Sequence, residues 1–244
     1  MYFKKFKKRQ TERLQEKLEQ KYLPLRVNFY KKFINPNDLV FDVGANVGNR
    51  VGAFLKCHAK VVAVEPQPYC VKILREKFDD KITIEPVGVS ESSGELEMSI
   101  SSDSTISSFS NDFILKTKNR FKYSKWEQKI KVPVVTMDTL IIKYGTPAFC
   151  KIDVEGFELQ VLKGLHSKIP SLSIEYCVPE MQSQLIECLS YWNGIAPQAT
   201  YNYSIGESML WAMNEWESYT DFLKHVNSNT FLKTSFGDIY IKSI

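Results

Sequence analysis

The chain has 244 residues, long enough for one large α/β domain with a substantial core, and its 43% hydrophobic content is ordinary for a globular protein. Its net charge of +4 is unevenly spread, with 11 Lys/Arg against 3 Glu in residues 1–35 and 21 basic against 25 acidic residues in the remainder. No apolar run approaches the ~18 residues of a membrane span, the first residues lack the apolar core of a secretory signal, and five scattered cysteines without a Cys-x-x-Cys pair suggest neither zinc site nor disulfide framework, so a cytoplasmic protein with reduced thiols is expected.

In chain order, residues 1–35 read as a basic helical arm preceding a domain over 36–244. Leu14, Leu18 and Tyr22 recur at helical spacing, so a helix leaning one stripe on the domain accounts for the pattern. The five cations within residues 4–9 also suit weak contact with an anionic membrane surface or a polyanion. An apolar strand follows at 39–43, then a helix over 47–57, a strand over 61–65, a helix over 67–78 and a strand over 82–89. The rhythm then changes. Glu95 to Ile100 alternates like an exposed strand and Lys129 to Val135 resembles its partner, which predicts a hairpin-type insertion. The serine-rich passage Ser101 to Ser110 between them suits a binding loop and a solvated linker equally. Beyond it lie a helix over 138–144, a strand over 148–153, a strand over 171–176, a helix over 181–192, and strands over 199–205 and 238–242. Strands alternating with helices predict a mostly parallel sheet covered on both faces. With the closing strand antiparallel, both ends of segment 206–237 emerge at the same edge, so Trp211, Trp216, Tyr219 and Phe222 are expected to overhang the site, as stacking surfaces or as the core of a covering helix.

The first strand ends in Asp42 and a tight turn, Gly44-Ala45-Asn46-Val47-Gly48. A glycine turn lets backbone approach a ligand closely, and the helix that follows offers unpaired N–H donors. Glu65 closes the second strand, twenty-three residues after Asp42, where a carboxylate accepts both hydroxyls of a ribose. The pyrophosphate of NAD calls for Gly-x-Gly-x-x-Gly, which Ala45 and Asn46 break; an acid immediately before Gly-x-x-x-Gly instead suits the cationic amino-acid end of S-adenosylmethionine. Asp42, Gly44, Ala45, Asn46, Gly48, Glu65, Pro66, Val89 and Asp153 are therefore the expected cofactor contacts.

The fourth strand carries a second constellation, Lys151-Ile152-Asp153-Val154-Glu155-Gly156, at the carboxyl edge where ligands of open α/β sheets bind. Asp153 and Glu155, with Glu175 at the end of the fifth strand, are candidate general bases; capping of the next helix is the alternative for the first two. His58 and His166 fall at the opposite edge, leaving His225 as the histidine within reach. Asp153 with Glu175 could also hold Mg²⁺ through their carboxylates, so metal use stays open.

Together with Val134-Val135-Thr136-Met137-Asp138-Thr139-Leu140 and Val161-Leu162-Lys163-Gly164, these motifs resemble the FkbM-like family of S-adenosylmethionine-dependent methyltransferases across roughly residues 38–176. The resemblance implies a class I Rossmann-like fold, a seven-stranded sheet whose last strand is antiparallel, and O-methylation of a small molecule or saccharide. Two other classes remain. A nucleic-acid methyltransferase would use the basic arm as its footprint, against which stand a net acidic body and the lack of an Asp-Pro-Pro-Tyr-like motif. A non-catalytic cofactor-binding partner is the other, disfavoured by intact motifs.

Overall fold

The computed structural model describes residues 20–243. Leu14, Leu18 and the cations at 4–9 therefore lie outside the described residues. A helix over 20–30 (α1) opens the described chain, and Phe29, Tyr30, Phe33 and Ile34 at its end are buried against the sheet. Phe33 stacks on Tyr240 with ring centroids 5.5 Å apart, and Tyr30 meets Phe54 edge-on at 4.7 Å. Aromatic burial of this kind makes α1 part of the core, inside the stretch read from sequence as an arm.

The central sheet is built from β1 (Leu39–Val43), β2 (Lys60–Val64), β3 (Thr83–Glu85), β7 (Phe149–Ile152), β8 (Ser171–Cys177), β9 (Thr200–Ile205), β10 (Glu217–Ser218) and β11 (Phe236–Lys242). Its order is β10-β9-β11-β8-β7-β1-β2-β3. β1 pairs in parallel with β2 on one side and β7 on the other, and β11 is antiparallel to both β8 and β9. The expected arrangement with one antiparallel closing strand is thus present, extended at its edge by the two-residue β10. The buried runs of β1, β2 and β7 are apolar, as strands covered on both faces must be, except for Asp42 on β1 and Lys151 on β7.

The strand expected over 82–89 is two strands. Pro86 has no N–H to donate to the ladder, so β3 ends at Glu85, and β4 (Gly88–Val89) joins a separate three-stranded sheet with β5 (Gly94–Ile100) and β6 (Gln128–Val135). β5 and β6 are antiparallel, as the alternation predicted, and Lys129 and Lys131 form diagonal ion pairs with Glu97 and Glu95 across the strands.

The helix expected over 47–57 starts late, as α2 (Val51–Lys56). Gly44, Asn46 and Gly48 all adopt positive φ, which keeps residues 44–50 out of the helix and lengthens the turn. The other helices are α3 (Pro68–Phe78), α4 (Asn111–Thr117), α5 (Met137–Tyr144), α6 (Glu158–Lys163), α7 (Gln182–Ile195), α8 (Tyr219–Val226) and α9 (Asn229–Leu232).

The ends of segment 206–237 reach the carboxyl edge of the sheet at Glu207, Ser235 and Phe236, but its middle does not overhang that edge. After residue 210 it runs back down beside β9: Ala212 N–H donates to Tyr203, Asn202 bonds the carbonyls of Met213 and Glu215, and β10 pairs with Thr200 and Tyr201. The unpaired edge of β9 accounts for this path, because the returning chain satisfies its free backbone groups. Trp211 and Trp216 consequently pack with Phe29, Phe33 and Tyr240, and Tyr219 and Phe222 pack on Tyr201. None of the four reaches the cavity described next.

Candidate active site

A cavity of about 450 Å³ lies outside the carboxyl ends of β1, β2, β7 and β8, where the strand order reverses. Asp42, Gly44, Ala45, Asn46, Glu65, Pro66, Val89, Asp153, Glu155 and Glu175 all line it. Gly48 does not. A Cβ there would lie 2.4 Å from Phe78 and 2.9 Å from Leu74, so this glycine lets α3 pack against the turn. Gly44 is constrained differently: its φ is +84° and a Cβ would sit 1.7 Å from the Asp153 carbonyl oxygen, so the turn can cross the end of β7 only without a side chain.

The donors beside the turn are backbone groups of two loops, since α2 begins too late to contribute its terminus. Asn46 N–H and Gln67 N–H donate to the two oxygens of Glu65 at 2.8 and 2.7 Å. Each oxygen keeps a further lone pair. Burial pushes the Glu65 carboxyl up to about 7, against the pull of those same N–H groups. Burial likewise raises Asp42 to about 6, with Lys151 pulling the other way, and its Oδ2 has no hydrogen-bond partner among the described residues.

The serine-rich passage is a wall of the cavity. Ser104, Thr105, Ile106, Ser107 and Phe109 line it, and the Ser104 carbonyl accepts from the side-chain amides of Asn46 and Gln67, both at 3.0 Å. Polar bonds from the turn thus fix a loop that lies more than fifty residues further along the chain.

Asp153, Glu155 and Glu175 come together, with oxygens of all three within 4.8 Å of one another. Lys151, almost wholly buried on β7, pairs with Asp153. Burial alone would raise Asp153, but Lys151 and a hydrogen bond from Glu175 outweigh it and hold the carboxyl below its ordinary range. Glu175 and Glu155 are pushed well above theirs, by burial first and then by the negative charge of Asp153. The trio is therefore split, one carboxyl held low and two pushed up, with Glu175 hydrogen-bonded to Asp153. Neither Asp153 nor Glu155 caps α6, whose N-cap is Phe157 without a side-chain bond. Glu158 does the local work: its Oε1 accepts from Val154 and Gly156 N–H at 3.2 and 3.1 Å and shapes the turn in which Glu155 sits at φ +53°.

The histidines are elsewhere. His166 bonds Asp138 at 2.7 Å and His225 bonds the Tyr203 hydroxyl at 3.0 Å, both outside the lining. Sequence reasoning missed Arg50, Glu207 and Arg120, which line the cavity as well. Arg50 meets Glu207 at 2.6 Å, and Arg120 meets Glu180 at 2.7 Å and the carbonyls of Val178 and Ser235. The signal available for Arg50 was its place two residues past the glycine turn; no local pattern marks Glu207 or Arg120.

Residues 42–204 match the methyltransferase FkbM domain, two thirds of the chain and the whole span from Asp42 to β9. The chain belongs to this family. It carries that domain on the mostly parallel, Rossmann-like α/β sheet described above. Among curated proteins it is similar to the hexuronic acid methyltransferase AglP of Haloferax volcanii, 29% identical over 142 residues, which are 56% of this chain and 54% of that protein. The chain thus aligns with about half the length of that relative. Among solved structures it is similar to a TehB-like SAM-dependent methyltransferase from Corynebacterium glutamicum (8% identity, TM-score 0.46, 90% of this chain and 88% of that one). It is also similar to the C-terminal domain of precorrin-6Y C5,15-methyltransferase from Rhodobacter capsulatus (8% identity, TM-score 0.44, 91% and 89%). Among the described residues no helix is long and apolar enough to cross a membrane.

Proposed function

We propose that this methyltransferase moves a methyl group from S-adenosylmethionine to a hydroxyl of a small molecule or saccharide. The observation that carries the reading is the juxtaposition, in one cavity, of a carboxylate suited to a ribose and a carboxylate suited to a hydroxyl proton. Glu65, fixed by two backbone N–H groups with a lone pair left on each oxygen, accepts the two ribose hydroxyls. The unpartnered oxygen of Asp42 suits the ammonium of the methionyl tail. Pro66, Gln67 and Val89 offer the mixed apolar and polar walls that an adenine needs.

The donor supplies an electrophilic methyl on a sulfonium sulfur. The protein's task is then to hold the acceptor oxygen in line and remove its proton. Asp153 is the residue for the proton, because Lys151 holds its carboxyl low; it accepts the proton as the O–C bond to the methyl forms and the S–C bond breaks, leaving S-adenosylhomocysteine. Glu155 and Glu175, whose carboxyls are pushed upward by burial and by Asp153, hydrogen-bond neighbouring oxygens of the acceptor and orient it. A divalent ion fits this trio poorly, since the Lys151 ammonium already neutralises the ionised member. Activity is accordingly expected to survive EDTA. The saccharide acceptor draws its support from the relative named above.

The test is methyl transfer from labelled S-adenosylmethionine to a panel of mono- and oligosaccharides that includes hexuronates, alongside calorimetry with S-adenosylhomocysteine. Label in an O-methyl ether supports the reading. Absence of S-adenosylhomocysteine binding, or label on nitrogen or carbon, overturns it.

A further inference from the structure

The methionyl tail carries a carboxylate as well as an ammonium, and the reading above leaves that carboxylate unassigned. Three cations line the cavity: Arg50, Arg120 and Lys151. Lys151 is committed to Asp153, and Arg120 is held by Glu180 and by the Val178 and Ser235 carbonyls, just past β8 and just before β11. Arg50 follows that turn directly.

Its surroundings are those of a carboxylate receptor. Arg50 is buried, its side chain 8% exposed, and two of its nitrogens grip the two oxygens of Glu207 at 2.6 and 2.7 Å. Its Nε is buried with no partner among the described residues. Glu207, by contrast, leaves 51% of its side chain exposed, on the loop that leaves β9. The cation is fixed and its anion is at the surface, so one carboxylate can replace another without leaving the buried charge unpaired.

Direction agrees with this. Across the sheet the cavity groups run from Glu65 after β2, through Asp42 on β1 and Asp153 after β7, to Glu207 after β9. Arg50 bridges to the far end, with Asp238 at 3.9 Å. A ligand with its ribose at Glu65 and its ammonium at Asp42 extends toward Arg50.

We propose that Arg50 binds the α-carboxylate of the donor's methionyl tail, with Glu207 as its intramolecular competitor. The proposal rests on the donor assigned above. It makes the loop at Glu207 responsive to the donor: binding frees Glu207 from Arg50 and leaves it to Arg26 on α1, 3.4 Å away.

Calorimetry on the full chain with two ligands tests this, S-adenosylhomocysteine and 5′-methylthioadenosine, the second lacking the amino-acid tail. Glu207→Gln should bind S-adenosylhomocysteine about ten-fold more tightly, the effect of removing a competing anion from a buried cation, and methylthioadenosine unchanged within about two-fold. Arg50→Gln should weaken S-adenosylhomocysteine at least about ten-fold and spare methylthioadenosine, whose retained binding also reports a folded site. Unchanged or weaker S-adenosylhomocysteine binding by Glu207→Gln overturns the proposal, as do equal effects of either variant on both ligands. If the unaltered protein binds neither nucleoside, the donor assignment itself falls; if it binds both, only the role of Arg50 is in question.

Discussion

Replacing Glu65 by Gln removes a carboxylate that folding has buried at a cost. The side chain is 2% exposed and its carboxyl is pushed from 4.5 to about 7 by burial. Between these values the folded protein holds a proton that the unfolded chain has lost, so stability falls as pH rises from about 4.5 to 7 and is level above. At about 1.4 kcal/mol per pH unit the loss is about 3 kcal/mol. Gln keeps one oxygen for a backbone N–H and cannot ionise. In urea unfolding at pH 5 and pH 8, the difference in unfolding free energy between the two proteins should therefore move by about 3 kcal/mol toward the Gln variant at the higher pH. Comparing differences cancels Asp42 and Glu158, whose carboxyls are raised in the same sense and titrate in both proteins. The same variant should bind S-adenosylhomocysteine about thirty-fold more weakly at pH 8, the worth of one or two charge-assisted hydrogen bonds. A difference between the proteins that stays within about 1 kcal/mol across this pH range would show that Glu65 is not buried as a strained anion, and would remove the account of the ribose contact built on it.

Three further outcomes are expected. Asp153→Asn should lower the methyl-transfer rate by about a hundred-fold or more while S-adenosylhomocysteine affinity in calorimetry changes little, because the base is lost and the nucleoside contacts remain. Gly44→Ala should cost about 3 to 5 kcal/mol in denaturant unfolding, since its Cβ would meet backbone at Asp153 that the β1–β7 ladder prevents from moving, and φ is positive there as well. Glu158→Ala should destabilise by about 2 kcal/mol by stripping the Val154 and Gly156 N–H groups of their acceptor, and Glu158→Gln should restore stability, because both bonds go to one oxygen.

The division between what was legible in the chain and what was not follows the range of the interactions. Short-range patterns carried the alternation of strands and helices, the glycine turn, and the carboxylates at strand ends, because strand direction alone puts Asp42, Glu65, Asp153 and Glu175 at one edge of a parallel sheet. The break at Pro86 was also written locally, in a residue without an N–H, though it was read through as one strand. Other features needed partners far apart in sequence. Arg50 meets Glu207 across 157 residues, and Ser104 meets Asn46 across 58. No local periodicity records such pairs.

The aromatics of 206–237 make the same point from packing. Their composition suits a covering flap as well as a core, and only the unpaired edge of β9 and the apolar surface offered by α1 decide that Trp211 and Trp216 turn away from the cavity. The protonation of the carboxylate trio is likewise a tertiary property. Three acids of one kind diverge because Lys151 lies beside Asp153 and because each charge is felt by the others in a poorly solvated space. Residue order determined which groups arrive at the edge of the sheet; the fold determined their charge and their partners, since both depend on distances that sequence separation does not encode.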